Sequence, residues 1–495
     1  MTYHKAPCIA VLGTGSDVGK SIVVTALCRI FANKRICVAP FKAQNMSNNS
    51  GVTIEGKEMG RAQIAQAEAS KIPPHVDMNP ILLKPTTDIG SQVVLLGEVF
   101  KNSSARDYHE QKDYFFLESK KALDRLREGY DLIVIEGAGS CAEVNLMPDD
   151  IVNFRMAEYA EAPVILVADI HRGGVFAQII GTLECLKKEQ RDRIIGFIIN
   201  RFRGDISLFK DGLKFIEDKT NKPVLGVLPW YHNIKIDPED SVVIESPKKV
   251  SNYSKNSIAV IRLPHISNFT DFYPLSNFNN LSLFFIEEVQ DLSNFVAVIL
   301  PGSKNTCFDL NWLNTTGWRN KILDYTKNGG NILGICGGYQ MLGEKVCDPH
   351  GLEGNSAEIE GLKLLPIETF LQSPKITTLT HFVWNNVEGT GYEIHMGKTV
   401  KYYGSNLFNI IKRNNISCET YDGCISEDSK IIGTYIHGIF DNPAILQIWF
   451  DIIGLKDVYI SNFSGRVSRD KEYDLLAEHF EKYIDCSKLF SILNK

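Results

Sequence analysis

Cys336 lies in Asn331-Ile-Leu-Gly-Ile-Cys-Gly-Gly-Tyr-Gln-Met-Leu-Gly343, an apolar run that ends in a glycine-flanked thiol and passes directly into a helix-compatible run. That is the layout of a nucleophile elbow: strand, sharp turn, helix. Glycines relieve the steric cost of the turn, and the helix N-terminus beyond it favours thiolate over thiol. A nucleophilic thiol needs a base. Lys430–Ile436 reads as a strand that delivers His437 just before Gly438, so Cys336 and His437 form a candidate nucleophile and general base for attack on an acyl carbon. His395, in Gly391-Tyr-Glu-Ile-His-Met-Gly397, competes for the base role; the strand-end position followed by glycine favours His437. Backbone N–H groups near Gly302, in the turn after the buried run Phe295–Leu300, and at Gly337 could hold the oxyanion.

A second chemistry is written near the start of the chain. The apolar run from Cys8 leads into Gly13-Thr14-Gly15-Ser16-Asp17-Val18-Gly19-Lys20-Ser21, and a helical pattern follows through Phe31. Such a loop cradles ATP phosphates with backbone N–H groups and the helix dipole; Lys20 neutralises the transferring end, and the Ser21 hydroxyl reaches Mg²⁺. Thr14 stands where the plain phosphate-loop pattern has its first glycine, a spacing that resembles dethiobiotin-synthetase-like enzymes. The buried run Asp131–Ile135 ends in Glu136 before Gly137-Ala-Gly-Ser140, a carboxylate suited to the same metal. Between these motifs lies Phe41-Lys-Ala-Gln-Asn-Met-Ser-Asn-Asn-Ser50, which is too polar for a core. It reads as a ligand-facing loop after a strand. Lys42, Gln44, Asn45, Ser47 and Asn48 are candidate substrate contacts, and Arg61 and Lys84 could complete a positive patch for a polycarboxylate.

The elements that must position these groups alternate between strand-like and helix-like runs from Cys8 to Leu228, which argues for a doubly wound, mostly parallel sheet. Within that half, Ile36–Pro40 and Gln92–Val99 read as strands, and Glu58–Ala69 and Arg106–Glu128 as helices. The rhythm breaks at residues 236–256, the expected linker between an N-terminal domain of residues 1–235 and a second α/β domain of residues 257–445. Residues 446–495 read as amphipathic helices with no identifiable chemistry, a lid or packing element. At 495 residues the chain has material for more than one core. A net charge of −6 gives no basic footprint for nucleic acid. Eleven cysteines without a C-x-x-C pair fit reduced thiols in a cytoplasm better than disulfides or a zinc site. No apolar run reaches membrane-spanning length, and the oligomeric state stays open, a homo-oligomer included.

Taken together, the phosphate loop, Phe41–Ser50, Asp77-Met-Asn-Pro80, Leu82-Leu-Lys-Pro-Thr86, Glu136–Ser140, Leu300-Pro-Gly-Ser-Lys-Asn-Thr306, Gly334–Gln340 and Tyr435-Ile-His-Gly438 resemble the cobyric acid synthases over nearly the whole length. The resemblance implies a dethiobiotin-synthetase-like α/β domain joined to a class I glutamine amidotransferase-like domain. It also implies ATP- and glutamine-dependent amidation of the b, d, e and g carboxylates of a corrinoid, adenosylcobyrinic acid a,c-diamide. Two departures stand out. Cys141 follows Glu-Gly-Ala-Gly-Ser where proline is expected, and Ile439 occupies the position at which ordinary class I amidotransferases carry a glutamate behind the catalytic histidine. A dyad is therefore expected, with the group that orients His437 left open. The rival readings are a cobyrinic acid a,c-diamide synthase of the same two-domain design and a nucleotide-switch scaffold with an inactive second domain.

Overall fold

A computed structural model describes residues 5–87, 90–231, 255–354, 356–458, 460 and 465–493. Six parallel strands form the N-terminal sheet in the order Val224–Pro229, Ile194–Phe202, Val164–Asp169, Cys8–Gly13, Leu132–Glu136, Val38–Phe41. The strand carrying the phosphate loop lies inside the sheet, so it must be apolar on both faces. Its residues divide accordingly: Cys8, Ala10 and Leu12 enter one core, and Ile9 and Val11 the other. The pairing of Val11 with Glu136 brings the acid beside the loop.

The second domain repeats the plan with different edges. Ser282–Ile286, Ser257–Ile261, Ala297–Leu300, Asn331–Ile335 and Ile431–Thr434 run parallel, and Cys424–Ile425 closes one edge antiparallel. The neighbours Asn331–Ile335 and Ile431–Thr434 end at the same level, with Ile335 opposite Thr434, so Cys336 and His437 leave the sheet together. Residues 360–433 contain a long antiparallel hairpin, Ile367–Trp384 with Val387–Lys401.

Several boundaries differ from the sequence pattern. The expected helix from Glu58 begins at Arg61, because Glu58–Gly60 is drawn into a short antiparallel pair with Ser50–Val52. The strand expected over Gln92–Val99 is two strands, Gly90–Leu95 and Glu98–Ser104, around a turn whose Leu96 and Gly97 both have positive φ. The expected linker lies outside the described residues except for Lys255 and Asn256.

Residues beyond 446 do more than flank the second domain. The helix Gly465–Tyr483 returns to the N-terminal sheet, where Tyr473, Leu476, Ala477 and Phe480 join the core on the face of the phosphate-loop helix Lys20–Asn33. Arg29, wholly buried, reaches Asp470 at 2.6 Å, and Arg469 spans Glu68 of the first domain (3.1 Å) and Asp441 of the second (3.0 Å). Burying each large apolar side chain there contributes roughly 1.5–3 kcal/mol, so this helix is a structural part of the N-terminal domain.

Candidate active sites

Cys336 has φ 52° and ψ −107° at the cap of the short helix Gly337–Met341. A non-glycine residue held there stores roughly 1–3 kcal/mol of strain. The surroundings enforce it: a Cβ on Gly338 would meet the Leu300 carbonyl oxygen at 2.0 Å, and one on Gly334 would meet the Leu342 side chain at 2.6 Å. The Cys336 N–H is held by the Thr434 carbonyl at 2.8 Å, and the sulfur lies 3.6 Å from the Ile394 carbonyl oxygen. Gly302 and Ser303 press against the elbow. A Cβ on Gly302 would sit 3.2 Å from His437 Cε1, and one on Gly337 would sit 2.8 Å from the Ser303 nitrogen.

His437 is buried and stacked on Tyr392, ring centroids 5.2 Å apart. Its Nδ1 bonds Asp271 Oδ2 at 2.6 Å, and the Cys336 sulfur lies near enough to act on its charge. Asp271 is thus the orienting group that the sequence left open. Ile439 is buried in the core, and the carboxylate comes from the opposite direction, on the 3₁₀ turn Phe269–Asn277. The same carboxylate accepts the Gly438 N–H at 3.2 Å and the Tyr392 hydroxyl at 3.4 Å. Burial disfavours a charged imidazole, but the adjacent Asp271 carboxylate and Cys336 sulfur outweigh it and raise the His437 pKa to about 10. The site therefore favours an imidazolium beside sulfur, a form able to protonate a leaving group. His395 does not compete. Its Nδ1 bonds the Gly397 carbonyl at 2.9 Å, its Nε2 faces Glu393 at 3.4 Å, and its ring stacks on Tyr435.

In the first domain, Gly19 has φ 98°, and a Cβ there would lie 2.1 Å from the Asn200 amide nitrogen, so only glycine fits. Lys20 Nζ is bonded to the carbonyls of Gly15 (3.0 Å) and Gly139 (2.8 Å). Ser16, Asp17, Gly19, Lys20 and Ser21 face a cavity; Gly13, Thr14, Gly15 and Val18 belong to the strand end and turn that carry them. Arg201 stiffens the loop from outside, bonding Asp17 at 3.0 Å and Asp169 at 2.9 Å. Glu136, fully buried, accepts from Ser21 Oγ at 2.8 Å, from Lys42 Nζ at 2.9 Å and from Gln66 Nε2. The Ser21 and Glu136 oxygens form the hard-donor pair that Mg²⁺ uses alongside phosphate and water, so the residues present fit that ion.

The amide-rich segment corrects an expectation. It is polar but not solvated: Lys42, Asn45, Ser47, Asn49 and Ser50 are buried. Hydrogen bonding makes this tolerable, as where Asn45 Nδ2 donates to Gln63 Oε1 at 2.8 Å. Lys42, Asn45, Ser47, Asn48 and Arg61 line the cavity. Gln44 and Lys84 are not among its lining residues. Gln44 accepts from the Tyr108 hydroxyl at 2.5 Å. Lys84 is buried against Glu58 (2.7 Å) and Ser50 Oγ (2.8 Å), where Lys375 of the second domain also meets Glu58 at 2.5 Å. Burial alone would raise the Glu58 pKa, but the two ammonium groups hold it well below the usual carboxylate range. Lys375 moves the other way; burial, only partly offset by Glu58, lowers it to about 7.

The cavity, about 1010 Å³, is walled by the phosphate loop and the amide-rich segment on one side. Asp271, Tyr392 and Gly438 of the second domain form another wall, and Arg469 and His479 of the returning helix contribute to it. The nucleotide-type site and the cysteine–histidine–aspartate site thus lie back to back.

A phosphate-loop sheet backed onto a sheet that ends in a cysteine and a histidine is the plan of a two-domain, nucleotide-dependent glutamine amidotransferase. Residues 9–242 match the CobQ/CobB/MinD/ParA nucleotide binding domain, and residues 257–445 match the CobB/CobQ-like glutamine amidotransferase domain. The cobyric acid synthase of Chlorobium phaeobacteroides (strain BS1) is 50% identical over 493 residues, 98% of this chain and 99% of that one. That of Chlorobaculum tepidum is also 50% identical, covering 98% and 97%, and that of Clostridium novyi is 46% identical, covering 99% and 98%. The chain belongs to the cobyric acid synthase family.

Proposed function

We propose that this chain uses ATP and glutamine to amidate the b, d, e and g side-chain carboxylates of adenosylcobyrinic acid a,c-diamide, giving adenosylcobyric acid. The observation that carries this reading is the single cavity bounded by the phosphate loop at one side and by the back of the His437–Asp271 pair at another. A carboxylate resists ammonia because its carbon is electron-rich and oxide is a poor leaving group. Transfer of the γ-phosphoryl group to a carboxylate oxygen releases ADP and creates an acyl phosphate. Ammonia then attacks the acyl carbon, phosphate leaves with the C–O bonding pair, and the nitrogen sheds a proton to give the amide.

Lys20 and the loop N–H groups hold the transferring phosphate, while Lys42 and Arg61 offer positive charge to the carboxylates. Ser21 and Glu136 would hold Mg²⁺, which supplies charge neutralisation on the phosphates when bound. Asn45, Ser47 and Asn48 offer neutral polar contacts, which suit a ligand that must present four carboxylates in turn.

In the second domain Cys336 attacks the glutamine amide carbon and His437 passes its proton to the leaving nitrogen. N–H groups at Gly302 and Gly337 hold the oxyanion, and water hydrolyses the glutamyl thioester. Unpaired cysteines throughout fit the reducing cytoplasm.

The test is Cys336→Ala, assayed by mass spectrometry of the corrinoid. Amidation with glutamine should vanish while amidation with ammonium salt persists. Loss of both in a folded variant contradicts the two-site assignment.

A further inference from the structure

The amide-rich segment faces two ways. Ser47, Asn48 and Asn49 line the cavity, and Asn49 and Ser50 also bond the second domain. There the Ser50 N–H donates to Asn268 Oδ1 at 3.0 Å, and the Phe269 N–H donates to Asn49 Oδ1 at 3.2 Å. The exchange is reciprocal and buried; Asn49, Ser50 and Asn268 are each 3% exposed or less. Asn268 adopts φ 51° and ψ 37°, a left-handed conformation that asparagine tolerates better than most residues. It reverses the chain between the strand Ile266–Ser267 and the turn that bears Asp271. One turn on, the Asp271 N–H donates to the Asn268 carbonyl at 3.0 Å, and the Asp271 carboxylate holds His437 Nδ1 at 2.6 Å. The chain of bonds therefore runs from the ATP-domain main chain to the glutaminase histidine without a gap.

We infer that Asn268 is a positioning residue of the glutamine-hydrolysing site: held by the Ser50 N–H, with Asn49 holding the N–H of the next residue, Phe269, it sets Asp271, and through Asp271 the orientation of His437. The glutaminase site is therefore finished by the other domain. Two features support this over a simple dovetail. The bonded residues lie at the root of the only carboxylate that bonds His437 Nδ1 among the described residues. The strand just before Asn268 also pairs Ser267 with Gly302, so the same brace fixes the glycine beside His437. The inference rests on the reading of Cys336 and His437 as a glutaminase, but not on the identity of the amidated substrate.

The experiment uses the full chain with Asn268→Gly, which keeps the left-handed backbone accessible and deletes only the acceptor. Glutamate release should fall about tenfold or more through kcat, the scale set by one lost buried hydrogen bond, with KM for glutamine little changed. The pH dependence of Cys336 alkylation by iodoacetamide, read on the Cys336 peptide, should shift because the histidine partner is no longer fixed. Ammonia-dependent amidation should stay within about twofold. Asn268→Asp, which keeps an acceptor oxygen, should restore most of the rate. Wild-type kcat and alkylation profile in Asn268→Gly, or no recovery in Asn268→Asp, overturns the inference. If Asn268→Gly does not fold, Asn49→Ala removes the acceptor of the Phe269 N–H and carries the same expectation for glutamate release and the alkylation profile, with the same overturning result. An absence of corrinoid amidation by the wild-type protein would count against the proposed substrate and leave the glutamate-release result to stand by itself.

Discussion

Each domain buries a carboxylate against a cationic partner at the end of a parallel sheet, and the two pairs do opposite things. Glu136 faces Lys42, whose charge stays in place while phosphates come and go. Asp271 faces His437, whose charge, on the function proposed above, is the proton that the reaction spends. The first pair prepares a fixed field for a highly charged ligand, so its value lies in not changing. The second must hand a proton to a leaving group and recover it, so its value lies in a pKa that the surroundings set.

The largest break in this comparison is Lys20→Ala. Removing the fixed charge at the phosphate should reduce amidation by about 10³-fold or more with either nitrogen source, while glutamate release in the absence of ATP is retained. Comparing product formation from glutamine and from ammonium salt checks it. Asp271→Asn should follow, lowering glutamine-dependent turnover by roughly 10²–10⁴-fold, the scale seen when the carboxylate behind a catalytic histidine is neutralised. Ammonia-dependent amidation should survive it, which separates the two carboxylates experimentally.

A pH series sharpens the comparison further. His437 is raised from its ordinary 6.5 to about 10 in the folded protein, so its contribution to stability is complete below about pH 6.5 and drains away as pH rises through 10. Thermal midpoints between pH 7 and 10 should therefore fall more steeply for the wild type than for His437→Ala; equal slopes would show that the histidine is not charged in the folded state. The smallest effect belongs to Arg469→Ala. Its bonds to Glu68 and Asp441 are partly exposed, so a loss of about 1–2 kcal/mol and a melting point lower by a few degrees are expected.

What could be read from the sequence follows how local each device is. The phosphate loop is contiguous, and Ser16, Asp17, Gly19, Lys20 and Ser21 face one cavity, so its chemistry is legible in one stretch. Cys336 and His437 are legible because adjacent parallel strands end in them and glycines mark the turns. Asp271 carries no such mark. It sits 166 residues from His437 in a segment of aromatic and polar residues, and only tertiary pairing gives it meaning. The amide-rich segment misleads in the opposite way. Its composition says solvent, but amides buried against a second domain satisfy one another, and hydropathy does not register a partner that lies far along the chain. Lys84 misleads for the same reason, since its counter-charge Glu58 becomes a neighbour only in the folded state. The last helices hide their purpose because an amphipathic pattern states that a face is covered, not by what.

The return of residues 465–493 to the first sheet has a consequence for how the molecule is made. A nascent chain presents its domains in order, and an N-terminal unit ordinarily folds while the remainder is still being translated. Here the phosphate-loop helix and the strands beneath it contribute Val24, Leu27 and Phe31 to a core that also needs Tyr473, Leu476 and Phe480. That layer cannot close until residues 465–493 have been made. The half that emerges first is completed only after the second domain has been made, so a chain terminated before residue 465 should release an intact glutaminase half tied to an unfinished ATP-using one.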